Sequence, residues 1–223
     1  MPFEWFIAAR YLRARRKTRF ISIITFISVA GVAVGVMALI VVLAVMNGFE
    51  DEIHRRIIGI NAHVILLRYG AEPITGYERI VDEVDALPGV VAAAPFTYTH
   101  GGLRGESRSD GVVVRGIDAA REARVTDILA NTTPPLTDLS SEPGAIPKIA
   151  VGDELATMLR ITLRDTVALA QPFDYVLTPM GLMPSINRFE VASLFSSGMF
   201  EYDRTLAYID LATAQSLFKM SGG

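Results

Sequence analysis

"ISIITFISVAGVAVGVMALIVVLAVM", Ile21 to Met46, is the stretch that decides the fold, because it contains 26 consecutive residues without a charge. A helix of that length extends for about 39 Å, which exceeds the ~30 Å thickness of the hydrocarbon core of a bilayer. Such a helix crosses a membrane with some tilt. The stretch therefore predicts a transmembrane helix, which we place at residues 21–47.

The charges that flank this stretch predict its direction. Before it, Glu4 is the single acid among six basic residues, which are Arg10, Arg13, Arg15, Arg16, Lys17 and Arg19. After it, three acids at residues 50–52 come before the next basic residues. By the positive-inside rule the N-terminus is cytoplasmic and the rest of the chain lies across the membrane.

A cleaved signal peptide is the alternative interpretation of the same stretch. The apolar region of a signal peptide has about 7–15 residues and ends at a cleavage site with small residues. The stretch here is longer, and the segment "VMNGF" at residues 45–49 has no such site. The pattern therefore favours an anchor that is retained.

Residues 1–20 form a basic segment in which Phe3, Phe6, Ile7 and Tyr11 recur at helical spacing. This pattern predicts a cytoplasmic amphipathic helix on the inner surface of the membrane. A basic flank that only sets the direction of insertion is the alternative.

Within the apolar stretch, Gly31 and Gly35 form a G-x-x-x-G step. Small residues at this spacing allow a second helix to approach closely in lipid. The step predicts a site of helix packing, although chance spacing explains it equally well.

Residues 48–223 have the mixed composition of a folded α+β domain. The whole chain has a net charge of −3, which argues against a nucleic-acid-binding protein with its usual basic face. It has no cysteine, which excludes disulfides, cysteine-based zinc sites and thiol nucleophiles.

The pattern of this domain alternates between strands and helices. The apolar segment 62–68 predicts a strand, and Thr75 and Glu78 have capping-box spacing before a helix that ends at Pro88. Further strands are predicted at residues 90–104, 110–118, 149–151, 161–170, 187–198 and 205–210, and further helices at 51–59, 119–129, 152–160 and 211–220. A loop rich in proline and serine at residues 131–147 could divide the domain into two lobes.

No motif for catalysis or metal binding is present. His54, His63 and His100 are isolated and form no H-E-x-x-H motif. No serine lies in a G-x-S-x-G elbow, and the glycine-rich "GGLRGESRSDG" lacks the lysine of a Walker A motif. The sequence therefore predicts no catalytic residue, metal site or cofactor, and no ATP hydrolysis by this chain.

The segment "PFDYVLTPMGLMP", Pro172 to Pro184, is predicted to be an apolar loop bounded by prolines. Proline lowers the entropy that a loop loses on docking, and methionine supplies adaptable contact surface. The loop either docks a partner or folds back over the core of its own domain, and composition leaves both open.

Six segments in order resemble the LolC/LolE family, the lipoprotein-releasing permeases of Gram-negative bacteria, over nearly the whole chain. They lie at residues 6–53 ("FIAARYL…GFEDEI"), 87–96 ("LPGVVAAAPF"), 112–118 ("VVVRGID"), 179–184 ("PMGLMP"), 189–203 ("FEVASLFSSGMFEYD") and 207–218 ("AYIDLATAQSLF"). The resemblance implies one N-terminal transmembrane helix followed by a MacB-like periplasmic domain of α+β type at residues 48–223. In the family three more membrane helices come after this domain, beyond "FKMSGG". Arg164, in "LRDTV" at residues 163–167, departs from the family, whose members usually have glycine before the aspartate that is Asp165 here. This departure questions the local geometry of the turn at these residues.

The resemblance also implies partners and a location. Family members are non-catalytic permease subunits in the bacterial inner membrane, with the N-terminus cytoplasmic and the main domain periplasmic. They act with a LolD-type ATPase and a second LolC/LolE-type permease subunit. Together these subunits extract lipoproteins from the membrane lipid and transfer them to the periplasmic chaperone LolA. The resemblance leaves open whether this chain is of LolC type, of LolE type or a homodimeric subunit.

Two groups of site residues follow from this resemblance. Pro172 to Pro184 resembles the hook loop that recruits LolA, with Pro172, Phe173, Tyr175, Pro179, Met180, Gly181, Leu182, Met183 and Pro184 as the contact residues. On one helical face, Val42, Val45, Met46 and Phe49 are predicted to line the cavity that receives lipid, with packing against a neighbouring helix as the alternative. A MacB- or FtsX-type mechanotransmission permease and a single-pass anchored sensor domain are the alternative functions.

Overall fold

The computed structural model describes residues 3–13, 19–69, 73–142, 144–178 and 181–220. It divides into two compact units, Met1–Ile53 and His54–Gly223. The second unit is not divided near residues 131–147, so the prediction of two lobes is wrong. Pairing of residues 113–117 before that loop with residues 206–210 after it joins the two halves into one body.

The two N-terminal helices are α1 (Phe3–Arg13) and α2 (Arg19–Ile60). The part of α2 from Ile21 to Ile53 has a mean hydropathy of 2.9 over its most apolar window, and in the described part of the chain it is the one helix long and apolar enough to cross a membrane. No proline interrupts the sequence of α2, so the helix continues through Asn47 and Gly48. The charged segment after the apolar stretch is therefore helical, as predicted.

The second unit contains seven strands and several short helices in the described residues. The strands are β1 (Phe96–Arg104), β2 (Ser109–Ile117), β3 (Thr132–Thr133), β4 (Lys148–Gly152), β5 (Thr166–Thr178), β6 (Gly181–Phe195) and β7 (Leu206–Asp210). The helices are α3 (Tyr77–Asp85), α4 (Ala119–Glu122), α5 (Asp153–Leu159), α6 (Phe200–Thr205) and α7 (Leu211–Leu217), with a 3₁₀ turn at Ile128–Asn131. The helix predicted at residues 119–129 is therefore shorter, since α4 ends at Glu122.

Six of the strands form a closed ring in the order β6-β4-β7-β2-β1-β5, because β5 also pairs with β6. Strand β3 is added outside the ring, antiparallel to β6. The pairs β2–β7 and β4–β6 are parallel, and the others are antiparallel. A closed ring leaves few unpaired backbone groups at sheet edges.

Two apolar clusters stabilise the ring, one on each side of the strands. Along β4, Ile149 and Val151 join one cluster and Ala150 joins the other, as the alternation of side chains in a strand requires. Phe189 on β6 belongs to the first cluster and Tyr208 on β7 to the second. The core therefore depends on residues from strands that are far apart in the sequence.

The strand predicted at residues 62–68 is wrong. These residues have no regular secondary structure, and Val64 is 83% exposed. Its β-branched, apolar composition favours an extended backbone, but a strand also needs a hydrogen-bonded neighbour. No strand in the described part of the chain pairs with this segment.

The helix predicted after Thr75 is confirmed as α3, but its capping box is wrong. The N-cap residue is Gly76, in a left-handed conformation with φ of 65°, and no side chain caps the helix. Because the helix begins one residue after the position that the capping box requires, Thr75 lies outside it. A glycine accepts positive φ without the steric cost that a side chain would add.

Arg164 lies in the left-handed region with φ of 68°, in the turn before β5. The backbone N–H and the hydroxyl of Thr162 donate hydrogen bonds to Asp165 Oδ2 at 2.6 and 2.9 Å, and they hold the pKa of that carboxyl below its usual value. The departure from the family pattern therefore falls on a residue whose backbone favours glycine.

We expect Arg164→Gly to raise the free energy of unfolding by about 0.5 kcal/mol. Glycine removes a left-handed strain of about 1–2 kcal/mol but loses about 0.5–1 kcal/mol through the entropy of the unfolded chain. Chemical denaturation of the whole chain in detergent measures the change. Arg164→Ala is the control, because it removes the same side chain and keeps the strain; equal stabilisation by both would contradict a backbone origin.

Candidate functional site

The ends of β5 and β6 form a two-stranded arm, defined here as residues 175–178 and 181–184. Its cross-strand pairs are Tyr175 with Pro184, Val176 with Met183, Leu177 with Leu182 and Thr178 with Gly181. In the described structure this part of the hairpin pairs with no other strand. The prediction of a loop over Pro172–Pro184 is therefore wrong, because cross-strand pairing continues as far as Thr178 and Gly181.

Both faces of the arm are apolar and exposed. Tyr175, Leu177, Leu182 and Pro184 share one face, and Val176 and Met183 share the other, because successive side chains of a strand point to opposite faces. Leu177 is 80% exposed and Leu182 is 69% exposed. A ribbon that served only to cover its own core would be polar on the outer face, so the arm offers apolar surface to a partner.

A bulge lies at the base of the arm. Ala170 pairs with Ile186 and Tyr175 with Pro184, so residues 171–174 of β5 lie opposite Ser185 alone. Asp174 Oδ1, in this bulge, is 2.7 Å from Lys219 Nζ, which lies just beyond α7. A bulge bends the strand that contains it, so we expect β5 to change direction at the base of the arm.

The predicted hook residues fall into three groups. Tyr175, Gly181, Leu182, Met183 and Pro184 lie in the arm. Pro172 and Phe173 lie in the bulge of β5, and Pro179 and Met180 lie outside the described residues. Gly181, the first residue of β6, has φ of 112°, a conformation that favours glycine.

Sequence reasoning did not include Val176, Leu177 and Asp174 among the site residues. The available signal was the pair of consecutive apolar runs, Tyr175–Leu177 and Leu182–Pro184, on the two sides of "TPMG", which suits a hairpin with Leu177 opposite Leu182. The ion pair of Asp174 with Lys219 had no local signal, because the two residues are 45 positions apart.

The predicted lipid-facing residues of α2 lie on one exposed face of that helix. Val42, Val45, Met46 and Phe49 are each about two-thirds exposed, and they follow the helical spacing i, i+3, i+4, i+7. A Cβ atom added at either Gly31 or Gly35 would meet no atom within 4 Å. The face and the glycine step are therefore open to contacts from outside the described chain.

The segment "SSGMFEYD" near the end of the domain closes over the junction of β4 and α5. The buried Asp203 accepts a hydrogen bond from the Ser197 backbone N–H at 2.8 Å. Its backbone lies directly against Gly152, where an added Cβ atom would be 2.6 Å from the Asp203 carbonyl carbon. These contacts give the segment a structural role.

Sequence comparisons with known proteins match this chain along nearly its whole length. The family model described as the MacB-like periplasmic core domain matches residues 25–222. The lipoprotein-releasing system transmembrane protein LolC of Xylella fastidiosa is 36% identical over 221 residues, which are 99% of this chain and 52% of that protein. LolC of Neisseria meningitidis serogroup B is 33% identical over 97% of this chain and 51% of its own length.

Two further likenesses are weaker. LolE of Haemophilus influenzae is 31% identical over 57% of this chain and 32% of its own length. The extracellular domain of the noncanonic ABC-type transporter YknZ from Gram-positive bacteria has a TM-score of 0.41 at 11% identity, over 66% of this chain and 67% of that one. A TM-score of that size is too low to assign the fold.

The domain match and the LolC similarity agree on the same part of the chain. The MacB-like model extends from within α2 to residue 222, beyond the end of α7, and the two LolC proteins align over almost every residue. The chain spans about half the length of these LolC relatives. It therefore belongs to the MacB-like periplasmic core domain family and, within it, to the LolC/LolE family.

Proposed function

We propose that this chain acts in the permease subunit of an ABC transporter that extracts lipoproteins from the inner membrane and transfers them to the chaperone LolA. The observation that supports this most directly is the arm, which is apolar on both faces and stands on a domain similar to that of LolC. In this proposal the arm is the surface that recruits the chaperone.

Physical complementarity supports an apolar docking surface of this kind. A chaperone that receives an acylated protein must itself present apolar surface to cover the acyl chains, because exposed hydrocarbon is unfavourable in water. Leu177, Leu182 and Tyr175 share one face of a ribbon whose strands are already paired, so docking would bury apolar area with little new ordering of the backbone.

The proposal includes partner subunits. The described chain has one helix able to cross a membrane and no Walker A motif. In the proposal, ATP is hydrolysed by a LolD-type ATPase, and a second LolC/LolE-type permease subunit completes the membrane part. The Gly31–Gly35 step of α2 packs against a helix of that membrane part.

We further propose an orientation for the chain in the inner membrane. The basic residues before α2 remain cytoplasmic and the second unit is periplasmic, as the asymmetry of positive charge indicates. This orientation places the arm in the compartment of a periplasmic chaperone.

A mechanotransmission permease of the MacB or FtsX type and an anchored sensor domain are the alternatives. Neither requires an arm that is apolar on both faces. Capture of purified LolA by the whole chain in detergent separates these functions: retention of LolA supports the proposal, and no retention under conditions where the chain is folded contradicts it.

Photo-crosslinking tests whether the exposed face of α2 contacts the lipoprotein. Benzoylphenylalanine at Phe49 is expected to form adducts with lipoprotein in membranes, because Phe49 lies on the exposed face with Val42, Val45 and Met46. The matched control is Ile40, an exposed apolar residue on the opposite face of α2. Adducts of Phe49 with permease helices alone would assign the face to helix packing instead.

A further inference from the structure

A buried polar cluster lies beneath the second apolar cluster of the domain, away from the arm. Arg115 Nη2 on β2 is 3.3 Å from Glu122 Oε1 in α4, and these side chains are 11% and 1% exposed. The Arg115 guanidinium also lies over the ring of Phe96, 4.7 Å from its centroid. Thr126 donates a hydrogen bond to the same Glu122 oxygen at 3.1 Å. The charge of Arg115 is therefore balanced within the domain.

Two polar atoms of this cluster are buried without a hydrogen-bond partner among the described residues, Arg115 Nε and the Tyr208 hydroxyl. Burial raises the pKa of Tyr208 to about 12, and the Arg115 guanidinium opposes that shift through its charge and through a close contact with the hydroxyl. That contact lies outside ordinary hydrogen-bond geometry, so it does not satisfy the hydroxyl. The phenol is therefore neutral at physiological pH and remains a donor. Nearly all buried polar groups in proteins are paired, so two unpaired donors in one place require an explanation.

Arg115 and Tyr208 line the same cavity, which has a volume of about 260 Å³. Tyr98, more than half exposed, and Glu201 also line it. Another part of the wall contains Tyr202, whose hydroxyl accepts a hydrogen bond from Asn61 Nδ2 at 3.1 Å. The cavity thus combines buried donors, a carboxylate and an aromatic ring that is open to solvent.

The charges around the cavity select the class of ligand. Glu122 balances Arg115, and the exposed Glu201 adds a negative charge, so the cavity offers no net attraction to an anion. The unpaired donors require an acceptor oxygen, and the Glu201 carboxylate can accept an N–H. A group that has a neutral carbonyl oxygen and an N–H side by side is a peptide amide.

We propose that this cavity binds a peptide amide whose carbonyl oxygen accepts hydrogen bonds from Arg115 Nε–H and the Tyr208 hydroxyl. The N–H of the bound peptide faces Glu201, and its neighbouring side chain packs against Tyr98. The peptide comes either from a transported protein or from a partner subunit. The chemistry of the site is the same for both sources, and it does not depend on chaperone docking at the arm.

Nuclear magnetic resonance of the whole chain in detergent micelles tests the ligand class, with arginine labelled by ¹⁵N and the tyrosine rings by ¹³C. The probe is N-acetylglycine N-methylamide, and sodium acetate is the matched anion. We expect saturable shifts of the Arg115 Nε–H and Tyr208 signals with the amide and not with acetate. Tyr208→Phe is expected to weaken amide binding about 3- to 10-fold, the effect of one hydrogen bond. No saturable shift, or an equal response to acetate, would overturn the proposal.

Thermal unfolding provides a second measurement that separates ligand binding from an internal structural role. Tyr208→Phe is expected to leave Tm unchanged or to raise it, because the lost hydroxyl has no partner in the described chain. Tyr202→Phe removes a hydroxyl of the same cavity that is paired with Asn61, and it is expected to lower Tm. An equal fall in Tm for both variants would show that Tyr208 is bonded internally, through water, and would refute the ligand site.

Crosslinking in membranes identifies the source of the peptide. Benzoylphenylalanine replaces Tyr98, which lies on the cavity wall and is partly open to solvent. An adduct with lipoprotein assigns the site to cargo, and an adduct with a permease subunit assigns it to assembly; either supports the site. If the only adduct is with a permease subunit, the peptide site is supported. Contact between this cavity and the lipoprotein cargo of the proposed function is then not supported. Absence of every protein adduct would count against the site.

Discussion

Replacing Gly152 with alanine is expected to lower the free energy of unfolding by about 3 kcal/mol, the upper part of the range for overpacking a core. Gly152 is the last residue of β4 and lies against the backbone of Asp203. An alanine Cβ would be 2.6 Å from the Asp203 carbonyl carbon and 2.8 Å from its Cα, with the carbonyl oxygen closer still. A side chain could rotate away from such a clash, but a backbone cannot.

The surroundings of Asp203 keep that backbone in place. Its carboxylate accepts the Ser197 N–H at 2.8 Å, and its own backbone N–H donates to the Met199 carbonyl oxygen at 3.0 Å. The Asp203 side chain is also buried. A shift that made room for a methyl group would therefore break these hydrogen bonds or move β4 within the closed ring.

Urea denaturation in detergent, followed by near-ultraviolet circular dichroism, measures the effect of Gly152→Ala. Gly111→Ala is the matched control, because Gly111 also lies in a strand and an added Cβ atom there meets nothing within 4 Å. The control is expected to change stability by less than about 0.5 kcal/mol. If Gly152→Ala proved as stable as the control, the close packing of β4 on the "SSGMFEYD" segment would be wrong.

The double substitution Leu177→Asp with Leu182→Asp is expected to weaken capture of LolA by at least about tenfold, since loss of a contact anchor typically costs more than 1 kcal/mol. The two leucines are directly paired across the arm and are mostly exposed. Two carboxylates on that face would have to be desolvated against the apolar surface of a partner. Because the arm pairs only with itself in the described structure, Tm of the domain should hardly change.

Capture of purified LolA by the whole chain in detergent measures this effect, and further variants locate the contact. Val91→Asp is the control, since Val91 is 90% exposed and lies outside the arm; it should retain LolA. Val176→Asp with Met183→Asp places the same charges on the other face of the arm. Loss on one face only identifies the docking face, whereas full capture by both double variants would exclude the arm as the chaperone site.

Most elements of the chain were predictable because their signals are local. The long helix follows from residues 21–46 without charge and from the absence of proline up to Ile60. The strand and helix at Lys148–Leu159 follow from an apolar run and then a helical pattern. In each case the neighbours in sequence supply both the periodicity and the ending.

The errors arose where structure depends on distant partners. Residues 62–68 resemble a strand in composition, but no described strand pairs with them. The segment before Pro184 resembles a loop because of its prolines, yet it pairs across the hairpin as far as Thr178. The carboxylate of Asp174 and the cavity at Tyr208 had no local signal, since their neighbours come from elements that lie far apart along the chain.

By itself the sequence determined a single long apolar helix, the charge asymmetry around it and an α+β domain without catalytic motifs, because length, charge and periodicity are properties of neighbouring residues. Only the tertiary structure decided that six strands close into a ring, that Gly152 touches Asp203 and that an apolar ribbon leaves the domain. Strand pairing and close packing join residues that are distant in sequence, so no window along the chain contains them.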